Sequence, residues 1–130
     1  MKLASIDVGL KRIGLAICLK SDIVMPQEAI LRKNRNQASK DIRDFLLLWE
    51  IEKLIVGLPL NAKSSAEMKR RIEHFVSLLA LNIPVEYQDE QSSSIEAKEL
   101  TQGVFRHKKD GKIDSIAAKI ILERYLNKSS

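Results

Sequence analysis

The sequence lacks the multiple cysteines that stabilise small secreted domains and the long apolar runs that span membranes. Its 130 residues include one cysteine, Cys18, so an internal disulfide is excluded and a reducing compartment is expected. The apolar runs are far shorter than the about 20 residues that a membrane-spanning helix needs. The opening "MKLASIDVG" reaches an acid too early for a signal peptide. We therefore expect a single cytoplasmic domain covering residues 1–130.

Glycine is also scarce, yet two of the five glycines closely follow a single acid. The stretch "SIDVGLKRIGLAIC" begins at residue 5 and places Asp7 at the end of an apolar run, followed by Gly9 and Gly14. Gly9 is expected to permit a sharp turn, because glycine leaves φ unrestricted. Gly14 is expected to leave room for other backbone or for substrate. Lys11 and Arg12 begin the returning strand and are candidate contacts for a phosphate.

Basic residues outnumber acidic ones, 22 against 17, which gives a net charge of +5. This balance favours a polyanionic partner such as nucleic acid. The segment "RHKKDGK", residues 106–112, has little apolar content and is expected to form an exposed basic loop that holds substrate phosphates. The basic residues at 69–71 are expected to lie on the solvated face of a helix. The candidate nucleic-acid-binding residues are Lys11, Arg12, Arg106, Lys108, Lys109 and Lys112.

Hydrophobic periodicity predicts the element order β-β-β-α-β-α-β-α-α. The first three strands are expected to be antiparallel and the last two parallel, joined by right-handed crossovers. The result is an α/β fold with a mixed five-stranded sheet flanked by helices. Pro26 predicts an irregular or edge position for the third strand, and His74 is expected to be structural. The predicted strands cover residues 2–9, 12–19, 21–33, 52–60 and 83–90, and the predicted helices 36–50, 64–82, 92–103 and 111–126.

Four acids lie at the ends of these predicted elements: Asp7 ends the first strand, Asp89 and Glu90 end the fifth, and Asp114 begins the last helix. Each alone has a structural explanation, such as a favourable position at a helix N-terminus. Together they are suited to bind divalent cations, which prefer oxygen ligands. Two such ions about 3.5–4 Å apart stabilise the attacking and leaving oxygens in phosphodiester hydrolysis. Without a metal or a proton, three clustered carboxylates repel each other.

Four strings resemble the signature blocks of the YqgF family: "IDVGLKRIGLA", "IVGLPLN", "DEQSSSIEA" and "KKDGKIDSIAAKIILERYL". That family is similar to the RuvC-type Holliday-junction resolvases and has the ribonuclease-H-like fold. The resemblance implies a nuclease that matures the 5′ end of pre-16S ribosomal RNA. It also implies that Asp7, Glu90 and Asp114 are catalytic, metal-binding acids, with Asp89 as the alternate. The implied cofactor is Mg²⁺ or Mn²⁺, as two ions whose coordination the substrate completes.

Two departures from the family pattern concern the substrate path. Gln91 stands where family members commonly have an arginine, and the loop after "GLPLN" reads "AKSSAEM" instead of being rich in glycine. The alternatives are a resolvase acting on branched DNA and a nucleic-acid-binding module without catalysis. A third is an actin-like ATPase or sugar kinase, which would need a second such domain. Exonuclease or endonuclease mode, and a monomer or a weak homodimer, stay open.

Overall fold

The computed structural model describes residues 1–20, 23–59, 66–89 and 112–129. The predicted helix at 92–103 lies outside these ranges. The other predicted elements are present in the predicted order, as eight elements. They are β1 (Leu3–Val8), β2 (Arg12–Cys18), β3 (Val24–Leu31), α1 (Arg35–Leu48), β4 (Lys53–Leu58), α2 (Ala66–Leu79), β5 (Val85–Asp89) and α3 (Lys112–Ser129).

The five strands form one mixed sheet in the order β3-β2-β1-β4-β5. β1 pairs antiparallel with β2, and β2 pairs antiparallel with β3. β4 pairs parallel with both β1 and β5. The predicted fold class and the predicted edge position of the Pro26 strand are therefore confirmed. The carboxyl ends of β1, β4 and β5 meet at one edge of the sheet, because these three strands run in the same direction.

Side chains alternate between the two faces of the sheet, and each face has its own core. On one face, Ile6, Ile13 and Val56 pack with residues of α1 and α2, including Ile42 and Phe75. On the other face, helix α3 covers the sheet through a second cluster. That cluster contains Leu3, Ala16, Cys18, Val24, Ile55, Ala118, Ile121 and Leu122. The fold thus has one helix on the second face of the sheet within the described residues.

Helix α3 is buried on more than one side, and the helical periodicity that groups Ile116, Ala117 and Ile120 marks a different side from the one that meets the sheet. The sheet-facing residues are Ala118, Ile121 and Leu122, and each is fully buried. Ala117 and Ile120 form a separate cluster with Ile116. The helix carries apolar residues on several sides, so periodicity alone could not identify the side that meets the sheet.

Across the ranges that the structure describes, no helix has the combination of length and apolar character required to span a membrane.

Candidate functional site

Strand β1 and helix α3 run side by side and bring Asp7 level with Asp114. Leu3, Ser5 and Asp7 share one face of β1, because strand side chains alternate. Leu3 belongs to the cluster that contains Ile121 and Leu122, and the Ser5 hydroxyl donates a hydrogen bond of 2.6 Å to the carbonyl of Ala118. Two residues of strand advance about 6.6 Å and one turn of helix about 5.4 Å, so the next level after Ser5 and Ala118 holds Asp7 and Asp114.

Gly14 permits this approach of helix to sheet. It is the direct partner of Asp7 in the pairing of β1 with β2. A Cβ atom at position 14 would collide with the backbone carbonyl of Asp114 and would lie 2.8 Å from the backbone nitrogen of Ser115. The Ser115 hydroxyl oxygen also accepts a hydrogen bond of 3.3 Å from the Leu15 N–H. The expectation that Gly14 makes room for other backbone is confirmed, and the backbone is the first turn of α3.

Gly9 has a different role from the one that the sequence suggested. Its φ lies outside the left-handed region, so unrestricted φ is not what the turn requires. Its N–H donates a hydrogen bond of 3.0 Å to the carbonyl of Arg12, and an added Cβ would lie 2.5 Å from that same oxygen. The close approach of the two ends of the β1–β2 turn therefore favours glycine at position 9.

Burial and a neighbouring arginine act in opposite directions on Asp114. The side chain is half-buried, and this desolvation raises its pKa above the ordinary aspartate value. The positive charge of Arg12 lowers the same pKa, but by less than burial raises it. Arg12 thus faces the acidic site, as the sequence suggested for a base at the start of the returning strand. Lys11, next to it, is exposed at the turn.

The side chains of strand β5 point alternately to the two faces of the sheet. Val85 and Tyr87 pack against the core under α1 and α2. Glu86 instead accepts a hydrogen bond of 3.2 Å from Lys53, whose ammonium also bonds Tyr125 of α3. Strand alternation therefore places position 89 on the α1 and α2 face, away from the face of Asp7 and Asp114. The backbone carbonyl of Asp89 accepts a hydrogen bond of 3.4 Å from Arg124.

Gln88 is a polar residue on the α3 face that the sequence did not single out. It pairs with Gly57 in the register of β4 and β5. Its side-chain Oε1 is buried and has no hydrogen-bond partner among the residues that the structure describes. Buried polar atoms are normally satisfied, so an orphaned amide oxygen is a mark of a site rather than of a core. Nothing in the sequence distinguished this glutamine from a solvated one on an exposed strand.

The remaining predicted site residues lie beyond what the structure describes. Glu90, Arg106, Lys108 and Lys109 are outside the described ranges, and Lys112 begins α3 with its side chain outside them. Among the described side chains, no three of histidine, cysteine, aspartate or glutamate converge to hold a metal ion. The described part of the chain therefore brings together Asp7 and Asp114, with Arg12 beside them.

A second group of charged residues meets on the opposite face of the sheet. Two basic clusters far apart in the sequence, one before α1 and one in α2, line a single cleft of about 630 Å³ beside the β1–β2 turn. His74 is exposed and lines this cleft, so its expected structural role is not what the fold shows. The sequence displayed both clusters, but their meeting depends on the packing of α1 against α2 across the sheet.

Comparison with protein families gives one match that covers nearly the whole chain. Residues 1–128 match the RuvX family, described as "Holliday junction resolvase". This finding confirms the resemblance drawn from the four sequence blocks.

Relatives of known sequence align over almost their full length. A protein of Sulfurovum sp. strain NBC37-1 is 76% identical over 127 residues, covering 98% of this chain and 99% of its own. A protein of Sulfurimonas denitrificans is 49% identical, covering 97% of both chains. Each carries the name "Putative pre-16S rRNA nuclease".

Solved structures with little sequence identity have the same fold. The RuvC of Thermus thermophilus, in complex with a Holliday junction substrate, matches with a TM-score of 0.61 at 12% identity and covers 99% of this chain and 96% of its own. The fowlpox virus Holliday junction resolvase matches with a TM-score of 0.58 at 15% identity over all of both chains. The ribonuclease-H-like fold expected from the resemblance is therefore confirmed.

Proposed function

Because the chain belongs to the RuvX family, and is therefore a nuclease that hydrolyses phosphodiester bonds, we propose that it processes the 5′ end of pre-16S ribosomal RNA. The observation that carries the location of the chemistry is the contact between Gly14 and the backbone of Asp114, which sets that acid beside Asp7. The observation that favours this RNA is the name of the Sulfurovum relative, which is 76% identical over nearly its full length. Processing of an RNA precursor takes place where the protein is expected, in the cytoplasm.

The proposed third acid is Glu90, with Asp89 as the weaker candidate. Side chains alternate along a strand, and Glu86 and Gln88 share the α3 face of β5. By the same alternation, Glu90, two positions after Gln88, belongs with the residues of that face, whereas Asp89 belongs with those of the other face. The alternation supports Glu90 as the partner of Asp7 and Asp114.

A divalent cation, Mg²⁺ or Mn²⁺, fits the donors that this site offers. Carboxylate oxygens are the ligands that hard cations prefer. The desolvated carboxylate of Asp114 gains from a nearby positive charge that Arg12 supplies only in part. Gln88 lies two strands from the level of Asp7, a backbone separation of about 9.6 Å at 4.8 Å per strand, and on the same face of the sheet, so it borders the same site. We propose Asp7, Glu90 and Asp114 as the ligands of two such ions.

The residues of this chain bind and orient the phosphodiester in this proposal. Bound ions, when present, stabilise the charge on the attacking and leaving oxygens. Asp7 and Asp114 would hold these ions in place, because the strand and the helix that carry the two acids pack closely at Gly14. Arg12 offsets part of the negative charge of Asp114, and Lys11 is exposed beside it. Arg106, Lys108, Lys109 and Lys112 supply further contacts to the substrate phosphates.

The second candidate substrate is a four-way DNA junction. The family description favours it, since it names a Holliday junction resolvase, and so do the names of the two structural neighbours. RNA and DNA present the same phosphates to the same acids, and the 2′-hydroxyl is what distinguishes them. A third candidate, a binding module without catalysis, is the least favoured, because Asp7 and Asp114 are both retained and adjacent.

A substrate panel decides among these candidates. Purified protein is offered 5′-extended pre-16S RNA, linear duplex DNA and a four-way DNA junction, each with Mg²⁺ and then with Mn²⁺. We expect metal-dependent cleavage of the RNA that chelation by EDTA abolishes, with a product whose 5′ end is mapped by primer extension. Cleavage of the junction alone would replace the RNA assignment. Sedimentation of the same sample tests the proposed monomer or weak homodimer.

A further inference from the structure

A basic cleft lies on the face of the sheet opposite the acidic site. Its floor is apolar, formed by Ile72 and Phe75, each 1% exposed. Its walls carry four arginines and one histidine, which come from the segment before α1, the start of α1 and helix α2. The charged walls are Arg32, Arg35, Arg70, Arg71, His74 and Glu67.

The positive charges of this basic cleft greatly exceed its negative charge. Among the residues that the structure describes, Glu67 is the one acid in its lining, and it already pairs with Arg71 at 2.6 Å. Within the described residues, Arg32, Arg35 and Arg70 have no carboxylate partner. Guanidinium groups brought together without acids repel each other, so a bound anion would stabilise the arrangement.

Two of the arginines are held in place before any ligand arrives. Arg32 lies over the ring of Phe75, 5.0 Å from its centroid, and donates a hydrogen bond of 3.0 Å to the carbonyl of Gly9. Arg35 approaches the Nε2 atom of His74 at 3.4 Å. Arg35 is also the first residue of α1, whose start is fixed because the Asn34 and Gln37 side chains cap each other's backbone. Fixed guanidinium groups lose little freedom on binding, and their planar fork matches a phosphate.

The basic cleft adjoins the acidic site through the β1–β2 turn. Val8 and Gly9 line it, and Asp7 immediately precedes Val8 while facing the other side of the sheet. From Asp7 to Gly9 the chain advances about 6.6 Å. A strand that crosses the turn from the acids would therefore reach the basic cleft within a few nucleotides.

We propose that this basic cleft binds a backbone phosphate of the nucleic-acid strand, a few nucleotides from the bond that is cut. The proposal rests on the nuclease function, because it names how that same substrate is held. The ligand chemistry is a phosphate, and Arg35 and Arg70 are available to bind it, since both are exposed and neither pairs with a carboxylate within the described residues. The basic cleft binds and positions the nucleic-acid strand, and the acids on the other face of the sheet act at the bond that is cut.

The test measures binding separately from cleavage. The probe is a 5′-fluorescein single-stranded RNA of pre-16S sequence, titrated by anisotropy in EDTA across a salt series. Arg35→Gln with Arg70→Gln should weaken binding roughly tenfold and lower the slope of log K against log salt by about 0.7 for each phosphate that the variant no longer neutralises. Glu67→Gln should act in the opposite direction, tightening binding, because it leaves Arg71 without its acid.

The matched control removes the same two charges at the opposite end of the sheet. Lys2→Gln with Lys20→Gln changes the net charge equally, and these lysines lie where β1 begins and β2 ends. We expect this control to keep nearly the parent slope. Equal losses in the two double variants would overturn the proposal, because net charge alone would then explain binding. The arginines changed are exposed, so thermal melts should show both variants folded.

Two further arms separate this proposal from its neighbours. Inorganic phosphate is titrated against the protein by NMR: saturation that depends on Arg35 and Arg70, with RNA binding unchanged in the double variant, would assign the basic cleft to free phosphate and overturn the strand proposal. Asp7→Asn should bind RNA with the parent salt slope. RNA binding that depends on the arginines, with no RNA cleavage by the parent, would support the strand-binding cleft and contradict the proposed function alone.

Discussion

At the scale of single residues, Asp114 is held where its charge is costly. Its carboxylate is half-buried, and the arginine beside it offsets the loss of water only in part. A group with a raised pKa in the folded state binds more protons there than in the unfolded chain. The free energy of unfolding therefore falls as pH rises through the interval between the unfolded and the folded pKa. Such a destabilising carboxylate is expected at a site where a bound cation would compensate its charge.

Replacing Asp114 with asparagine should accordingly stabilise the metal-free protein at pH 7. The gain should disappear below about pH 3.9, the ordinary aspartate pKa, because both side chains are then neutral. Urea unfolding in EDTA from pH 3 to pH 8 measures this difference. Added Mg²⁺ should raise the stability of the parent protein and leave the variant nearly unchanged. A variant that is less stable than the parent at pH 7 would show that burial does not govern this carboxylate.

At the scale of elements, the docking of α3 on the sheet aligns the acidic site. Hydrogen bonds from Ser5 to Ala118 and from Leu15 to Ser115 set the register of helix against strand. The apolar cluster behind them, which includes Ile121, fixes the distance. The contact of α3 with the sheet therefore also sets the position of Asp114 relative to Asp7.

Truncating the sheet-facing side of α3 should cost more than truncating its other side. Ile121→Ala removes a fully buried side chain from the cluster under the helix and should lower the free energy of unfolding by about 2–5 kcal/mol. Ile116→Ala is the matched control, because Ile116 is half-buried in the separate cluster and should cost less. Chemical denaturation compares the two. A larger cost for Ile116→Ala than for Ile121→Ala would show that the cluster around Ile116, and not the sheet-facing cluster, contributes most to holding the helix.

The strands and their order were predictable because few alternatives satisfy alternation and right-handed crossovers. Asp7 and Asp114 could be selected as candidate site residues because each stands at the end of a predicted element, and their role as metal ligands stays a prediction. The sheet-facing side of α3 was not, since apolar residues occur on several sides of that helix. The basic cleft was not predictable either, because its arginines come from two elements whose contact only the packed structure defines. Gln88 could not be singled out from the sequence, because only the structure shows that its buried oxygen has no partner within the described ranges.

At the scale of the whole molecule, the chain carries a net charge of +5 and has two basic regions that could each bind phosphates. The basic cleft lies on the α1 and α2 face. The basic segment at residues 106–112 immediately precedes the acid-bearing part of α3 in the sequence, and its role as a phosphate-binding loop stays a prediction. That the chain is one domain also stays a prediction. If both basic regions act, the substrate is held on both sides of the bond that is cut.

Replacing Lys108 and Lys109 with alanine should weaken binding of every RNA sequence tested. The salt slope should fall by about 0.7 for each phosphate that these lysines neutralise in the parent protein. Combined with the Arg35→Gln and Arg70→Gln variant, the two slope changes should add, because distant and independent sites contribute additively. Anisotropy in a salt series measures all three proteins. An unchanged slope in the lysine variant would leave these residues with a role in solubility only.

The central claim is that Asp7, locked beside Asp114, directs metal-dependent cleavage. Its most direct test is single-turnover cleavage of 5′-extended pre-16S RNA in Mg²⁺ by the parent, by Asp7→Asn and by Asp44→Asn, which changes an exposed acid on α1. Metal stabilisation contributes several kcal/mol to the transition state, so Asp7→Asn should cut at least about 100-fold more slowly while keeping its fold and its RNA affinity. Asp44→Asn should cut at the parent rate. Cleavage by Asp7→Asn at the parent rate would contradict the assignment of this site.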